Sequence, residues 1–194
     1  VVSLMFAQRL PGSHVTAIEI DDNAYLDAQE NFSASPFSER LTLVKGDFRR
    51  FPYDSSMWQK GLRPVFDSIV SNPPYFDNSF ENPDEGRTRA RHTSSLSFQD
   101  LISGAYSLLV DGGVFSVSIP VEALKRFSAE CLITGFSLRH CYAIKTVPRK
   151  QPKRFILVFQ KGVRCEPVEE TFCLLNADGT RSEWYSQLMN DFYL

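Results

Sequence analysis

The chain has 194 residues, of which 43% are hydrophobic and 23% are charged, and this composition excludes a protein that is disordered throughout. Domains contain ~150 residues on average, so the length predicts one domain over residues 1–194. The 21 Lys and Arg residues almost balance the 23 Asp and Glu residues, so a polyanion would have to bind at a local basic patch.

The first segment, Val2 to Leu10, has the apolar spacing of a helix, and no strand precedes it. A domain in which strands and helices alternate is expected to open with a strand and a Gly-rich turn. None of the ten glycines forms a Gly-x-Gly pattern. The sequence therefore predicts that the N-terminal strand and the Gly-rich loop of such a domain are missing.

Short runs rich in apolar and β-branched residues predict strands at Val15 to Ile20, Leu41 to Lys45, Phe66 to Ser71 and Val114 to Ile119. Segments with helical spacing lie between these runs. Asp21 and Asp22 are suited to cap one helix, and Ser97 is suited to cap another that ends at the Gly112-Gly113 pair. Strands that alternate with helices predict an α/β fold with a mostly parallel twisted sheet and helices on both faces.

The C-terminal third adds a predicted helix from Ala123 to Ile133 and two longer strands, Ser137 to Val147 and Arg154 to Lys161. Their short connection predicts an antiparallel hairpin, which we expect at the edge of the sheet. A strand from Thr171 to Leu175 and a short helix from Glu183 to Met189 complete the predicted elements.

The apolar runs and the cysteines indicate the compartment. No apolar run reaches the ~18 residues of a membrane helix, so we expect a cytoplasmic protein with no membrane partner. The four cysteines contain no Cys-x-x-Cys pair. We therefore expect free thiols and no bound metal.

The most informative loop is Asn72, Pro73, Pro74 and Tyr75, which directly follows the strand that ends at Ser71. Ligands of open α/β sheets bind at the carboxyl ends of the strands. Two consecutive prolines lack N–H groups and have a fixed φ, so the carbonyl groups of Asn72 and Pro73 are expected to be rigid acceptors. The Asn72 amide adds an acceptor, and the Tyr75 ring adds a flat face.

Such a set of acceptors suits a planar group that carries an NH2, as adenine and carboxamides do. The lone pair of this nitrogen is delocalised, which makes it a poor nucleophile. Two accepted hydrogen bonds favour a pyramidal nitrogen, and stacking on Tyr75 fixes the plane of the group. The loop therefore predicts activation of an amine for methyl transfer without a covalent intermediate.

The Asn-Pro-Pro-Tyr sequence resembles the motif of amino-group methyltransferases that use S-adenosylmethionine on a Rossmann-like sheet. Over nearly the whole chain, the pattern is similar to the tRNA adenine-N6 methyltransferases that modify the adenine at position 37 of valine tRNA. The segments that carry this similarity are Val15 to Ile20, Gly46 to Phe48, Asn72 to Tyr75, Arg87 to His92, Pro148 to Phe159 and Asp191 to Leu194. The resemblance implies a class I methyltransferase that acts on adenine N6 in tRNA with S-adenosylmethionine as cofactor.

Two acids at predicted strand ends suit this cofactor. A carboxylate at Glu19 can accept hydrogen bonds from both ribose hydroxyls of a nucleoside, and the resemblance implies this role. Asp47 would accept a hydrogen bond from the amino group of the cofactor's adenine, with Phe48 packed on the ring, and Asn72 is also expected to contact the cofactor. The alternatives are helix capping for Glu19 and an ordinary turn at Asp47.

Two basic clusters would hold tRNA phosphates on either side of an extruded base. The first is Arg87, Arg89 and Arg91. The second includes Arg149, Lys150 and Lys153, in a stretch from Lys145 to Lys161 that contains no acid. The alternative for either cluster is a solvated face. We expect a monomer that binds tRNA.

Three other functions stay open on the sequence alone. Protein glutamine methyltransferases use the same Asn-Pro-Pro-Tyr loop on a carboxamide, but a protein substrate would not require two basic clusters. A DNA adenine methyltransferase would require a target-recognition domain for which 194 residues leave no room. The third alternative is a catalytically silent RNA-binding module that retains the fold.

Overall fold

The computed structural model describes residues 1–73 and 96–192, which belong to two compact units, Val1–Pro64 and Val65–Leu194. The predicted site residues Pro74, Tyr75, Arg87, Arg89 and Arg91 lie outside the described residues. The single domain over residues 1–194 stays a prediction. Within the described part of the chain, no helix has the length and apolar content needed to cross a membrane.

The first unit contains, in chain order, α1 (Val2–Arg9), β1 (Val15–Glu19), α2 (Asp22–Ala34) and β2 (Leu41–Lys45). Strands β1 and β2 are parallel, with Val15 opposite Leu41 and Glu19 opposite Lys45. Asp21 caps α2 as predicted, because its carboxylate accepts a 2.9 Å hydrogen bond from the Ala24 amide. The two strands therefore end side by side, at the Glu19 and Lys45 edge of this sheet.

The second unit contains most of the elements. They are β3 (Phe66–Ser71), α3 (Phe98–Leu108), β4 (Leu109–Pro120), α4 (Leu124–Thr134), β5 (Phe136–Lys145), β6 (Arg154–Lys161), β7 (Val168–Cys173) and α5 (Glu183–Met189). The strand order in the sheet is β3-β4-β6-β5-β7. Only β6 runs against the other four strands, so the predicted mostly parallel sheet is confirmed.

The core of the second unit lies on one face of this sheet. Alternate residues of β4 are buried, among them Phe115, Val117 and Ile119, because successive strand residues point to opposite faces. Phe127 of α4 packs against Phe115 with ring centroids 6.2 Å apart. Helices α3 and α4 cover this face, and α5 packs on the other face through Trp184, so helices lie on both faces as predicted.

The hairpin of β5 and β6 does not lie at the edge of the sheet, and that prediction was wrong. Strand β6 pairs with both β4 and β5, and β7 pairs in parallel with the outer side of β5. The sequence shows the local antiparallel connection but not the long-range pairing of β7. Strand β7 also begins at Val168, ahead of the predicted start at Thr171.

The Gly112-Gly113 pair does not end a helix, as was predicted. Helix α3 ends at Leu108, and both glycines lie inside β4. A Cβ on Gly113 would come within 2.8 Å of the Val110 carbonyl oxygen and 3.2 Å of the Asp67 carbonyl oxygen. Gly113 must therefore be a glycine, because β3 approaches closely at this point, beside a shift in the register of β3 and β4. In the sequence alone, the Gly112-Gly113 pair resembles the glycines that follow the end of a helix.

Candidate active site

Asn72 and Pro73 follow the last residue of β3. Asn72 is exposed and Pro73 is buried. Strands β3, β4, β5 and β7 point the same way, so their carboxyl ends share one edge of the sheet with the start of β6. This is the edge at which open α/β sheets bind ligands, and it presents the Asn72 side chain to solvent.

Glu19 lies at the carboxyl end of β1, as predicted. Its Oε1 accepts a 2.9 Å hydrogen bond from the backbone amide of Asp21, and Asp21 rather than Glu19 caps α2. Among the described residues, Oε2 accepts no hydrogen bond. A carboxylate offers about four acceptor positions, so most of the Glu19 acceptor capacity faces no protein donor in the described chain.

Asp47 lies beyond the end of β2, and the amide of the adjacent Gly46 donates to the Glu19 carbonyl oxygen over 2.9 Å. The structure thus brings the Glu19 and Asp47 segments to one edge of the β1–β2 sheet. Arg49 holds the Asp47 carboxylate, with Nε 2.7 Å and Nη2 2.5 Å from Oδ2 and its own amide 2.9 Å from Oδ1. These hydrogen bonds, the side-chain ones first, lower the pKa of Asp47 below its usual range.

Together, these residues fit the adenosine part of S-adenosylmethionine. Three of the about four acceptor positions of the Asp47 carboxylate are used by Arg49, which leaves one on Oδ1 for an external N–H. Glu19 offers acceptors for hydroxyl groups at the same sheet edge. The ring of Phe48 is half-buried in the turn that follows Asp47.

The second basic cluster lies on the turn between β5 and β6, which we name the basic turn (residues 146–153). Arg149, Lys150 and Lys153 are all exposed there. The turn lies at the same sheet edge as Asn72, and the Lys153 carbonyl oxygen accepts a 3.3 Å hydrogen bond from Val121, just past the end of β4. The structure therefore places this basic cluster beside the end of β4, which is the neighbour of β3, the strand that Asn72 follows.

Sequence reasoning missed Arg49 and a group of aromatic residues near the basic turn. Arg49 lies two residues after Asp47 in a turn that belongs to no strand or helix, so no periodic pattern pairs the two side chains and only the turn geometry reveals the contact. The ring of Phe172 on β7 packs against Tyr142 of β5 on one side and against Trp184 of α5 on the other. In the sequence, they resemble ordinary core residues.

No protein-family model matches this chain. The tRNA1(Val) (adenine(37)-N6)-methyltransferase of Bacteroides thetaiotaomicron is 35% identical over 201 residues, which cover 100% of this chain and 78% of the relative.

Among solved structures, a predicted O-methyltransferase from Agrobacterium tumefaciens has a TM-score of 0.73 and 19% identity, covering 96% of this chain and 82% of that one. The glycopeptide N-methyltransferase MtfA, complexed with S-adenosyl-L-methionine, has a TM-score of 0.55 and 14% identity, covering 82% of this chain and 84% of that one. Both share the fold of this chain. The identity over the whole chain, together with this fold, shows that the chain belongs to the tRNA1(Val) (adenine(37)-N6)-methyltransferase family.

Proposed function

We propose that this protein transfers the methyl group of S-adenosylmethionine to the exocyclic N6 of an adenine in tRNA, at position 37 of valine tRNA. The observation that carries the proposal is the exposed Asn72 at the carboxyl end of β3, in a chain of this family. The proposal includes a cytoplasmic monomer that uses no metal.

The Asn72 amide oxygen and the Pro73 carbonyl oxygen would accept the two hydrogen bonds of the adenine amino group. Acceptors aimed at both N–H groups disfavour the planar amine, so its lone pair becomes available to attack. The amine nitrogen would gain a bond to the methyl carbon while the bond from that carbon to the cofactor's sulfur breaks, which would leave the sulfur as a neutral thioether. The nitrogen would then lose one proton to the solvent that reaches the exposed Asn72, without a dedicated base. Tyr75 would supply the stacking face for the base.

Glu19 and Asp47 would hold the cofactor at the edge of the β1–β2 sheet, with Glu19 on the ribose hydroxyls and Asp47 on the adenine amino group. Arg49 keeps the Asp47 carboxylate ionised and oriented. When bound, S-adenosylmethionine supplies an electrophilic methyl group on a sulfonium, and protein residues only bind and orient the reactants.

The basic turn would bind tRNA phosphates. Arg149, Lys150 and Lys153 are exposed at the edge that also carries Asn72, so a tRNA whose base reaches Asn72 runs close to these cations. The cluster of Arg87, Arg89 and Arg91 is expected to bind phosphates as well. Phosphate contacts fix the position of the substrate but carry no sequence information.

The test is methylation of unmodified valine tRNA, with nucleosides analysed by mass spectrometry for N6-methyladenosine. We expect methylation at position 37, and we expect Asn72→Ala to lower the rate by roughly 10²-fold or more while the cofactor Kd changes little. Asn31→Ala is the matched control, because Asn31 is an exposed asparagine on α2. Methylation of a glutamine peptide in place of tRNA would support the protein-methyltransferase alternative, and methylation of neither would support the silent RNA-binding module.

A further inference from the structure

A partly apolar cavity of about 230 Å³ lies on the face of the five-stranded sheet opposite α3 and α4. We name it the aromatic cradle, and its lining residues are Tyr142, Ile144, Ile156, Glu170, Phe172 and Trp184. The function proposed above uses none of them. We propose that the aromatic cradle binds one unpaired nucleobase of the RNA substrate, an inference that rests on the proposed tRNA methylation.

The strand register builds the floor of the cradle. Tyr142 of β5 pairs with Ile156 on one side and Glu170 on the other, and Ile144 pairs with Arg154 and Phe172 in the next row. Cross-strand partners share a face, and alternate residues of a strand do so too. The two rows are ~7 Å apart and the three strands together are ~10 Å wide, which is a flat surface of the size of one base.

Aromatic stacking builds the wall. The rings of Phe172 and Trp184 are stacked with centroids 4.4 Å apart and an interplanar angle of 14°. Tyr142 lies 5.7 Å from Phe172, and both rings remain partly exposed. Aromatic faces bind nucleobases by stacking, whatever the base. The volume is below the ~300–1,000 Å³ of pockets for drug-sized ligands, so it suits one flat group.

The surrounding charges select a nucleotide as the occupant. Arg154 occupies the same row and face as Ile144 and Phe172, and the basic turn begins two residues beyond Ile144. These cations would bind the phosphates of an RNA strand that inserts one base into the cradle. Glu170 at the other row repels a phosphate and accepts hydrogen bonds from a base amino group, so the base rather than the phosphate enters the cradle.

The position relative to Asn72 fits the same RNA molecule. The strand order places β5 three steps from β3, and strands are ~4.8 Å apart, so the cradle lies ~14 Å along the sheet from β3, the strand that Asn72 follows. The cradle rows and Asn72 lie toward the same edge. A flanking nucleotide of an RNA loop would therefore occupy the cradle while the target adenine reaches Asn72.

The test uses Trp184 fluorescence. The protein has two tryptophans, so a Trp58→Phe variant reports on Trp184 alone. Short oligoadenylate is expected to quench this emission, and an abasic oligonucleotide of equal length is expected to bind the basic turn without quenching. Equal behaviour of the two oligonucleotides would overturn the proposal. Emission that changes with protein concentration in the absence of RNA would also overturn it, because the cradle would then be an interface between copies of this chain.

Ile156→Glu adds a charge to the cradle floor at a residue that is already 38% exposed, so folding should be retained. We expect oligoadenylate to bind roughly fivefold to a hundredfold more weakly, the range of one lost base–aromatic stack, with abasic binding unchanged. Ile133→Glu, at an exposed isoleucine of α4, is the matched control. Failure of the wild type to methylate tRNA would refute the proposed function alone, whereas normal tRNA KM and oligoadenylate affinity in Ile156→Glu would refute the cradle alone.

Discussion

The contact between Arg49 and Asp47 makes the cofactor site that we propose at the edge of the β1–β2 sheet testable. In Arg49→Met, a side chain of similar length lacks the two guanidinium hydrogen bonds to Asp47 Oδ2, while the amide bond to Oδ1 is retained. The hydrogen bond from the Arg49 side chain is the largest cause that lowers the pKa of Asp47, so we expect this pKa to rise in the variant.

The magnitude follows from how exposed the pair is. The Arg49 and Asp47 side chains are 32% and 20% exposed, so solvent screens their attraction. Two charges 4 Å apart attract by ~1 kcal/mol in water and ~4 kcal/mol near a protein surface, whereas exposed pairs typically contribute ~0.2–1 kcal/mol. We take ~1 kcal/mol for this two-point contact, which corresponds to a roughly fivefold weaker cofactor Kd if the pair orients Asp47.

Two measurements check this expectation. A carboxyl NMR titration of Asp47 gives its pKa, and calorimetry with S-adenosylmethionine gives the Kd. Because the folded-state pKa of Asp47 is lowered, the pair stabilises the protein above the unfolded pKa and loses this effect as the pH falls through the folded value. The stability difference between wild type and Arg49→Met should therefore exist at neutral pH and disappear in acid.

Arg50→Met is the matched control, since the Arg50 guanidinium bonds to Asp54 instead. It should retain most of the lowering of the Asp47 pKa. An unchanged Asp47 pKa in Arg49→Met, or a stability difference that persists in acid, would refute the reasoning.

Three further predictions concern the cofactor, the fold and the RNA. Glu19→Gln should raise the Kd for S-adenosylmethionine in calorimetry, because a neutral amide is a weaker acceptor for ribose hydroxyls, and an unchanged Kd would assign the ribose to another residue. Gly135→Ala should lower the free energy of unfolding by ~1–3 kcal/mol in urea titrations, since φ is 107° and a Cβ would lie 3.0 Å from the Tyr106 hydroxyl. Joint replacement of Arg149, Lys150 and Lys153 by Gln should make the salt dependence of tRNA binding shallower by up to ~3 units in log Kd against log salt concentration. A triple variant with the same slope as the wild type would show that these cations form a solvated face.

Local patterns predicted the elements better than their pairing. Strands β2, β3 and β6 begin and end where the sequence predicts, because their alternation and flanking turns are local signals. The position of β6 between β4 and β5 depends on contacts between distant residues, which no window of sequence contains. The Gly112-Gly113 pair shows the same limit, since Gly113 has no room for a Cβ where β4 passes β3 and Gly112 has a φ of 78°, and neither requirement is visible in the sequence.

The candidate site divides in the same way. Glu19 and Asn72 were predicted from their positions at strand ends, and the structure places both there. Arg49 could not be predicted, because its partner is set by the turn after β2. The cradle rings could not be predicted either, because the stack of Phe172 on Trp184 joins a strand to a helix that begins ten residues after β7 ends.

The position of β6 has a consequence for folding during synthesis. Until residues 154–161 leave the ribosome, β4 and β5 have no strand between them, and one edge of β4 presents unpaired backbone groups. Exposed edges invite pairing with other chains. The hairpin of β5 and β6 closes over a short turn and so forms quickly, after which it can add to β4 as a unit. A pause in synthesis after β5 has left the ribosome but before β6 has done so would therefore hold a nascent chain prone to aggregation, and that hazard would end once β6 follows the basic turn out of the ribosome.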